Sequence, residues 1–157
     1  MPTASTGSGG SRPLTFVDTN ILVYAHDASD PARQALARAA IEQLWADGTG
    51  VLSTQVLQEF YVVVTGRQRI RMTSAQAREI LALYGAWTVV QVDLVTILAA
   101  SELHETHSIS FWDALVVQSA RLAGAGRILT EDLGHGTSVA GIRIENPFLA
   151  ANGGSPR

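Results

Sequence analysis

The sequence predicts an α/β fold with a central, mostly parallel sheet flanked by helices. Two observations carry that expectation. Short apolar and β-branched runs alternate with longer segments of helical apolar periodicity, the pattern of strands joined by helical crossovers. Hydrophobic residues make up 46% of the 157 residues and charged residues only 16%, which suits one packed core and excludes a largely disordered chain.

Taken in order, residues 1–12 are rich in Ser, Gly and Thr and read as a flexible tail, as do 150–157; one domain is expected over 13–149. Leu14–Val17 is a short strand that stops at Asp18, after which helix-compatible apolar residues resume. Asp30 and Pro31 open a helix as N-cap and first helical residue. Its stripe is Leu36, Ala40 and Leu44 beside Ala37, Ile41 and Trp45, and Gly48 stops it. A strand at 51–53 follows. The segment "TQVLQEFYVVVTG" is ambiguous. Val62–Val64 suits a strand, but Val56, Leu57, Phe60, Tyr61 and Val64 form a helical stripe, and a helix is preferred. Thr73 and Gln76 form a capping box for a helix ending at Gly85. A strand at 88–92, a helix at 93–105, a helix in "SFWDALVVQSARLAG" closed by Gly124, and strands "RILT" and "GIRI" complete the alternation.

Composition narrows the chemistry. There are no cysteines, which excludes disulfides, thiolate metal sites and cysteine nucleophiles. Every basic residue of the Lys/Arg class is an arginine. P-loop, Schiff-base and receiver-domain chemistries, which use a lysine, are therefore set aside. The net charge of −3 does not advertise a nucleic-acid binder, so a polyanionic substrate would need a local basic patch or a metal. The first residues lack the apolar core of a signal peptide, and no apolar run reaches bilayer length. A cytoplasmic protein with no membrane partner is expected.

Functional groups in open parallel sheets sit beyond the carboxyl ends of the strands. Asp18 follows the first strand directly, and Asp132 comes shortly after "RIL". Asp113 lies in the first turn of its helix. Glu59 lies in an otherwise apolar helix, where a charge is costly unless offset. Each position also has a structural reading. Asp18 caps a helix, Asp113 belongs to a Ser110-x-x-Asp113 cap, Asp132 sits in a turn, and Glu59 emerges on a solvent face.

Together, "FVDTNILVYAHD", Glu59 in "TQVLQEFY", "SFWDALVVQSARLAGAGRILTEDLGHG" and "GIRIENPF" resemble PIN-domain proteins, in particular the VapC-like toxin ribonucleases of bacterial type II toxin–antitoxin pairs. The resemblance spans about residues 14–148. It implies a PIN-like three-layer fold and makes Asp18, Glu59, Asp113 and Asp132 the catalytic, metal-binding acidic set. It further implies an RNA substrate cut to a 5′-phosphate and a 3′-hydroxyl, a small antitoxin partner and a homodimer. Glu131, adjacent to Asp132, could exchange with it if the turn register differs.

Facing carboxylates repel by roughly 4 kcal/mol per pair at 4 Å and an effective dielectric near 20, so such a cluster takes up protons or recruits cations. Hard oxygen ligands favour Mg²⁺, with Mn²⁺ possible, over Zn²⁺. A metal would also reconcile the acidic chain with RNA and generate the attacking water. Asp18 and Asp113 are expected as inner ligands, with Asp132 and Glu59 completing the site or holding waters, and Asn20 and Thr130 orienting the carboxylates.

Arg67, Arg69 and Arg71 form a basic run, read either as a solvated connector or as an RNA-backbone contact. His104 and His107 are three apart and do not match the zinc-protease spacing. His26 and His135 lie near the acidic segments and receive no role. Trp45, Trp87 and Trp112 are expected in the core or at a subunit contact rather than as base-stacking platforms. Three rival readings compete. A phosphoaspartate phosphatase needs an Asp where Asn20 stands. A PIN-like module could bind RNA or protein without cutting, and a PIN nuclease could process RNA in a housekeeping role.

Overall fold

The computed structural model describes residues 12–66 and 70–150. The elements in chain order are β1 (Thr15–Val17), α1 (Thr19–Ala25), α2 (Pro31–Asp47), β2 (Gly50–Ser53), α3 (Thr54–Thr65), α4 (Ser74–Tyr84) and β3 (Thr88–Val90). They continue with α5 (Leu94–His107), α6 (Phe111–Leu122), β4 (Arg127–Leu129), β5 (Ser138–Val139), β6 (Ile142–Glu145) and α7 (Pro147–Ala150). The strands form one sheet in the order β3-β2-β1-β4-β6-β5. Every neighbouring pair is parallel except β5–β6. The expected α/β class, a mostly parallel sheet flanked by helices, is what the chain forms.

Burial explains the strand sequences. Every residue of β1 and β2 is buried, as parallel strands covered on both faces require, and their apolar runs are continuous rather than alternating. Phe16, Val17, Val51, Leu52, Ile128 and Ile144 form the sheet's share of the core, with Ile21, Leu22, Phe60, Val64, Ala114 and Val117 from the helices. The α6 helix meets β2, β4 and β6 and carries α5 on it, while α1 packs on α2 and α3.

The helix ends follow local chemistry. Asp30 accepts from the Arg33 amide at 3.2 Å with Pro31 at the first turn, and Gly48 terminates α2 at φ 67°, a left-handed conformation that glycine adopts without penalty. Thr73 and Gln76 form the reciprocal capping box of α4. The ambiguous segment is α3, a helix, because its apolar stripe finds the core. Arg12, at the edge of the expected tail, pairs with Asp47.

The larger differences from expectation among the strands lie at the sheet's edges. The third strand ends at Val90, before the predicted 92, because the Val92 amide leaves the ladder to donate to Thr54 Oγ1 at 3.1 Å. The last strand runs one residue later than "GIRI" and is paired with β5 in an unanticipated hairpin. Its turn places Ala140 at φ 50° and Gly141 at φ 81°, the positive-φ pair of a tight hairpin without the usual Asn-Gly or Asp-Gly signal. The short α7 was also not anticipated. Of the tryptophans, Trp87 is buried against Tyr84 and Trp45, at ring separations of 5.2 and 5.3 Å. Trp45 and Trp112 are 41% and 63% exposed, outside the core half of the expectation and compatible with its other half, a subunit contact. No helix among the described residues is long and apolar enough to cross a membrane.

From β1 the chain winds outward through β2 and β3, then returns to the other side of β1 to place β4. The reversal of direction lies between β1 and β4. At such a switch point, the crevice at the strands' carboxyl ends is left open.

Candidate metal centre

Val17 pairs with Leu129, which sets the ends of β1 and β4 side by side. The Asp18 amide extends this ladder, donating to the Leu129 carbonyl at 3.0 Å. Its side chain then turns upward and is held at both oxygens. One accepts from the Thr19 amide at 2.7 Å as the N-cap of α1, the other from the Thr130 hydroxyl at 2.8 Å. Thr130 Oγ1 in turn accepts from the Asp132 amide at 3.2 Å, so one hydroxyl orders both carboxylate segments. Asn20 Nδ2 donates to Asp132 at 3.2 Å.

Asp113 comes from a different layer. The Ser110 hydroxyl caps α6 by accepting from the Asp113 amide at 3.1 Å, which fixes the first helical turn at the rim of the crevice. One oxygen each from Asp18, Asp113 and Asp132 lies within 4.8 Å of the others. Glu59 is not in that trio. It lines the same cavity of about 320 Å³, with its oxygens accepting from Thr19 Oγ1 at 2.7 Å and Gln55 Nε2 at 2.9 Å. Glu131 also faces the cavity, but accepts from the Tyr24 hydroxyl at 3.2 Å; the trio contains Asp132 instead.

Electrostatics follow from this crowding. Burial pushes the Asp18 carboxyl up to about 6, opposed by the bonds from Thr130 and Thr19 and reinforced by the charges of Asp132 and Glu59. Asp113 is also raised, first by burial and further by Asp132 and Glu59, with the Ser110 hydroxyl pulling it back. The described lining contains no Arg or His, and the chain has no Lys. Nothing in that lining offsets the negative charge. Asn20 Oδ1 and Gln55 Oε1 are buried without a hydrogen-bond partner among the described residues. A set of carboxylate oxygens with spare amide carbonyls nearby suits a hard divalent cation, Mg²⁺ or Mn²⁺, better than Zn²⁺.

The remaining candidates are placed elsewhere. Arg67 and Arg69 lie outside the described residues. Arg71 is exposed beside a separate hollow with Thr65, Gly66 and Met72. His26 packs edge-on against Phe60 at 5.5 Å, and His135 Nδ1 accepts from the Asn146 amide at 3.0 Å. His104 and His107 end α5. Sequence reasoning passed over Thr19, Gln55 and Tyr24. Gln55 was findable, since it stands four residues before Glu59 on one helix face. Tyr24 meets Glu131 only through the fold.

The family profile of the PIN domain matches residues 15–135. In structure the chain is similar to VapC20 of Mycobacterium tuberculosis, a sarcin–ricin-loop-cleaving toxin, with 26% identity and a TM-score of 0.58 over 75% of this chain and 91% of that one. It is similar in fold to a chain of a toxin–antitoxin complex from Klebsiella pneumoniae, with 15% identity and a TM-score of 0.64 over 85% and 97%. A chain of DNA-bound VapBC from Salmonella typhimurium gives 13% identity and a TM-score of 0.61 over 87% and 99%. No curated protein matches the chain.

Proposed function

The chain belongs to the PIN-domain family, and on that premise we propose that it is a divalent-metal-dependent endoribonuclease, the toxin of a toxin–antitoxin pair. The observation that carries the reading is the gathering of Asp18, Asp113 and Asp132 within 4.8 Å at the switch point of a parallel sheet. Mutually repelling carboxylates are retained at such a place when a cation and a phosphodiester are to be held there. The likeness to VapC20, a sarcin–ricin-loop-cleaving toxin, supports RNA as the substrate class.

In this reading Asp18, Asp113 and Asp132 would hold the ion. When bound, Mg²⁺ or Mn²⁺ supplies positive charge for the phosphate oxygens and acidifies a water. Thr130 and the Thr19 amide fix Asp18 at both oxygens, so its direction is set before substrate arrives. Asn20 Nδ2 holds one oxygen of Asp132 at 3.2 Å. Glu59, anchored by Thr19 and Gln55, lies beside the trio and takes the proton of the attacking water. The water oxygen bonds to phosphorus in line with the departing O3′. The P–O3′ bond breaks and O3′ takes a proton from solvent, leaving a 5′-phosphate and a 3′-hydroxyl. The nuclease unit is taken as residues 13–149, acting in the cytoplasm as a homodimer restrained by a small antitoxin.

The test is cleavage of RNA by the purified chain with Mg²⁺, with EDTA, and with Asp18→Asn. Loss of cleavage in both of the latter conditions, with the fold intact by circular dichroism, is expected. RNA binding without cleavage in Mg²⁺ or Mn²⁺ would instead establish a non-cutting module.

A further inference from the structure

Acidic and polar groups make up only part of the cavity. Residues four apart on a helix lie on one face, so each helix that brings a polar group also brings an apolar one: Thr19 and Val23 on α1, Glu59 and Val63 on α3, and Trp112 and Val116 beside Asp113 on α6. The polar chemistry therefore opens onto an apolar wall. Trp112 stands out within it. Trp112 lines the carboxylate cavity yet is 63% exposed. The Phe111 ring meets it at 5.6 Å and 64°, an edge contact that fixes the ring without covering it. The other aromatic of the lining, Tyr24, is already engaged. Its hydroxyl donates to Glu131, Phe148 packs on it at 5.0 Å, and the Arg33 guanidinium sits 5.5 Å from its ring centroid.

A single-stranded polyanion entering this cavity meets no Arg or His in the described lining. Side-chain ion pairs with phosphate cannot supply its affinity there. Stacking on an aromatic face is independent of charge and tolerates any base. We propose that Trp112 is a nucleobase-stacking platform that seats a nucleotide flanking the scissile phosphate. This rests on the nuclease reading and adds to it the element that positions the strand. A flat indole beside Asp113 holds the base while the neighbouring phosphate faces the three carboxylates. Trp112 is thus a substrate-contacting residue, and it favours single-stranded or splayed-out RNA over a paired helix, whose bases are already stacked.

The test compares the full chain with Trp112→Ala and Trp112→Phe. Binding of a mixed-sequence single-stranded RNA pool is read by anisotropy with Ca²⁺ replacing Mg²⁺, and cleavage of the same pool is read with Mg²⁺. Trp112→Ala should weaken binding by about ten- to a hundred-fold, with Phe recovering most of the loss. The slope of affinity against salt should stay unchanged, because no phosphate contact is removed. Equal binding and cleavage by wild type and Trp112→Ala overturns the stacking role and leaves the nuclease reading standing. Wild type that neither binds nor cleaves RNA with metal present overturns the nuclease reading itself, and this proposal with it. Trp112→Ala that separates copies in sedimentation while binding RNA normally assigns the ring to a contact between subunits, and also overturns it.

Discussion

At Asp18 two demands oppose each other. The position is buried, which disfavours a charge, yet hydrogen bonds from Thr19 and Thr130 serve the charged form. Burial prevails, and the carboxyl is pushed up to about 6 from its ordinary 3.8. For a carboxyl raised in the folded state, the penalty is absent below the unfolded pKa and grows as pH rises through the folded one. In EDTA, wild type should therefore lose stability relative to Asp18→Asn between about pH 4 and 6, then run parallel to it. The full difference is of order 3 kcal/mol at 1.36 kcal/mol per pH unit. Urea unfolding of both proteins across that range checks it, and a constant gap from pH 4 to 8 would refute it. Thr130→Val keeps the shape but removes the donor to Asp18. The carboxyl then holds its proton to higher pH. Cleavage should fall by about ten- to a hundred-fold, with the rising limb of its pH profile displaced upward. An unmoved profile would deny Thr130 this part.

Among the elements, β2 and α6 show how local sequence serves the site at a distance. Gly50 opens β2 against the face of Trp87, and a Cβ there would stand 2.5 Å from the ring. A buried indole has no room to retreat. Gly50→Ala should cost about 1–3 kcal/mol of stability, read as a lower urea midpoint at constant m. Cleavage at low temperature should persist, since Gly50 starts its strand and the carboxylates stand at the opposite strand ends. Asp113 reached the crevice because Ser110 ends one segment and starts α6 at the rim. That cap was legible in the sequence. The β5–β6 hairpin was not, because Ala140 replaces the Asn or Asp that usually announces such a turn.

For the molecule as a whole, α5 leaves a second question open to measurement. Leu94, Val95 and Leu98 share one helix face and are 68%, 73% and 57% exposed, a patch that suits the proposed association of two copies. Leu98→Asp should convert a dimer to a monomer in light scattering without changing the circular dichroism. A variant that keeps its dimer would move the interface elsewhere.

The amino-acid sequence by itself determined the alternation of strands and helices and the caps that delimit them, while the acidic set was implied only by the resemblance of its ordered motifs to PIN-domain proteins. The alternation and the caps depend on neighbours within a turn or two of chain. Only the tertiary structure decided that Asp18, Asp113 and Asp132 share one point while Glu59 stands beside them, that Asp132 rather than Glu131 completes the trio, and that Trp112 is left exposed over the cavity. Those outcomes depend on β4 returning beside β1 and on the register of Val17 with Leu129. Strand pairing across more than a hundred residues has no trace in local periodicity.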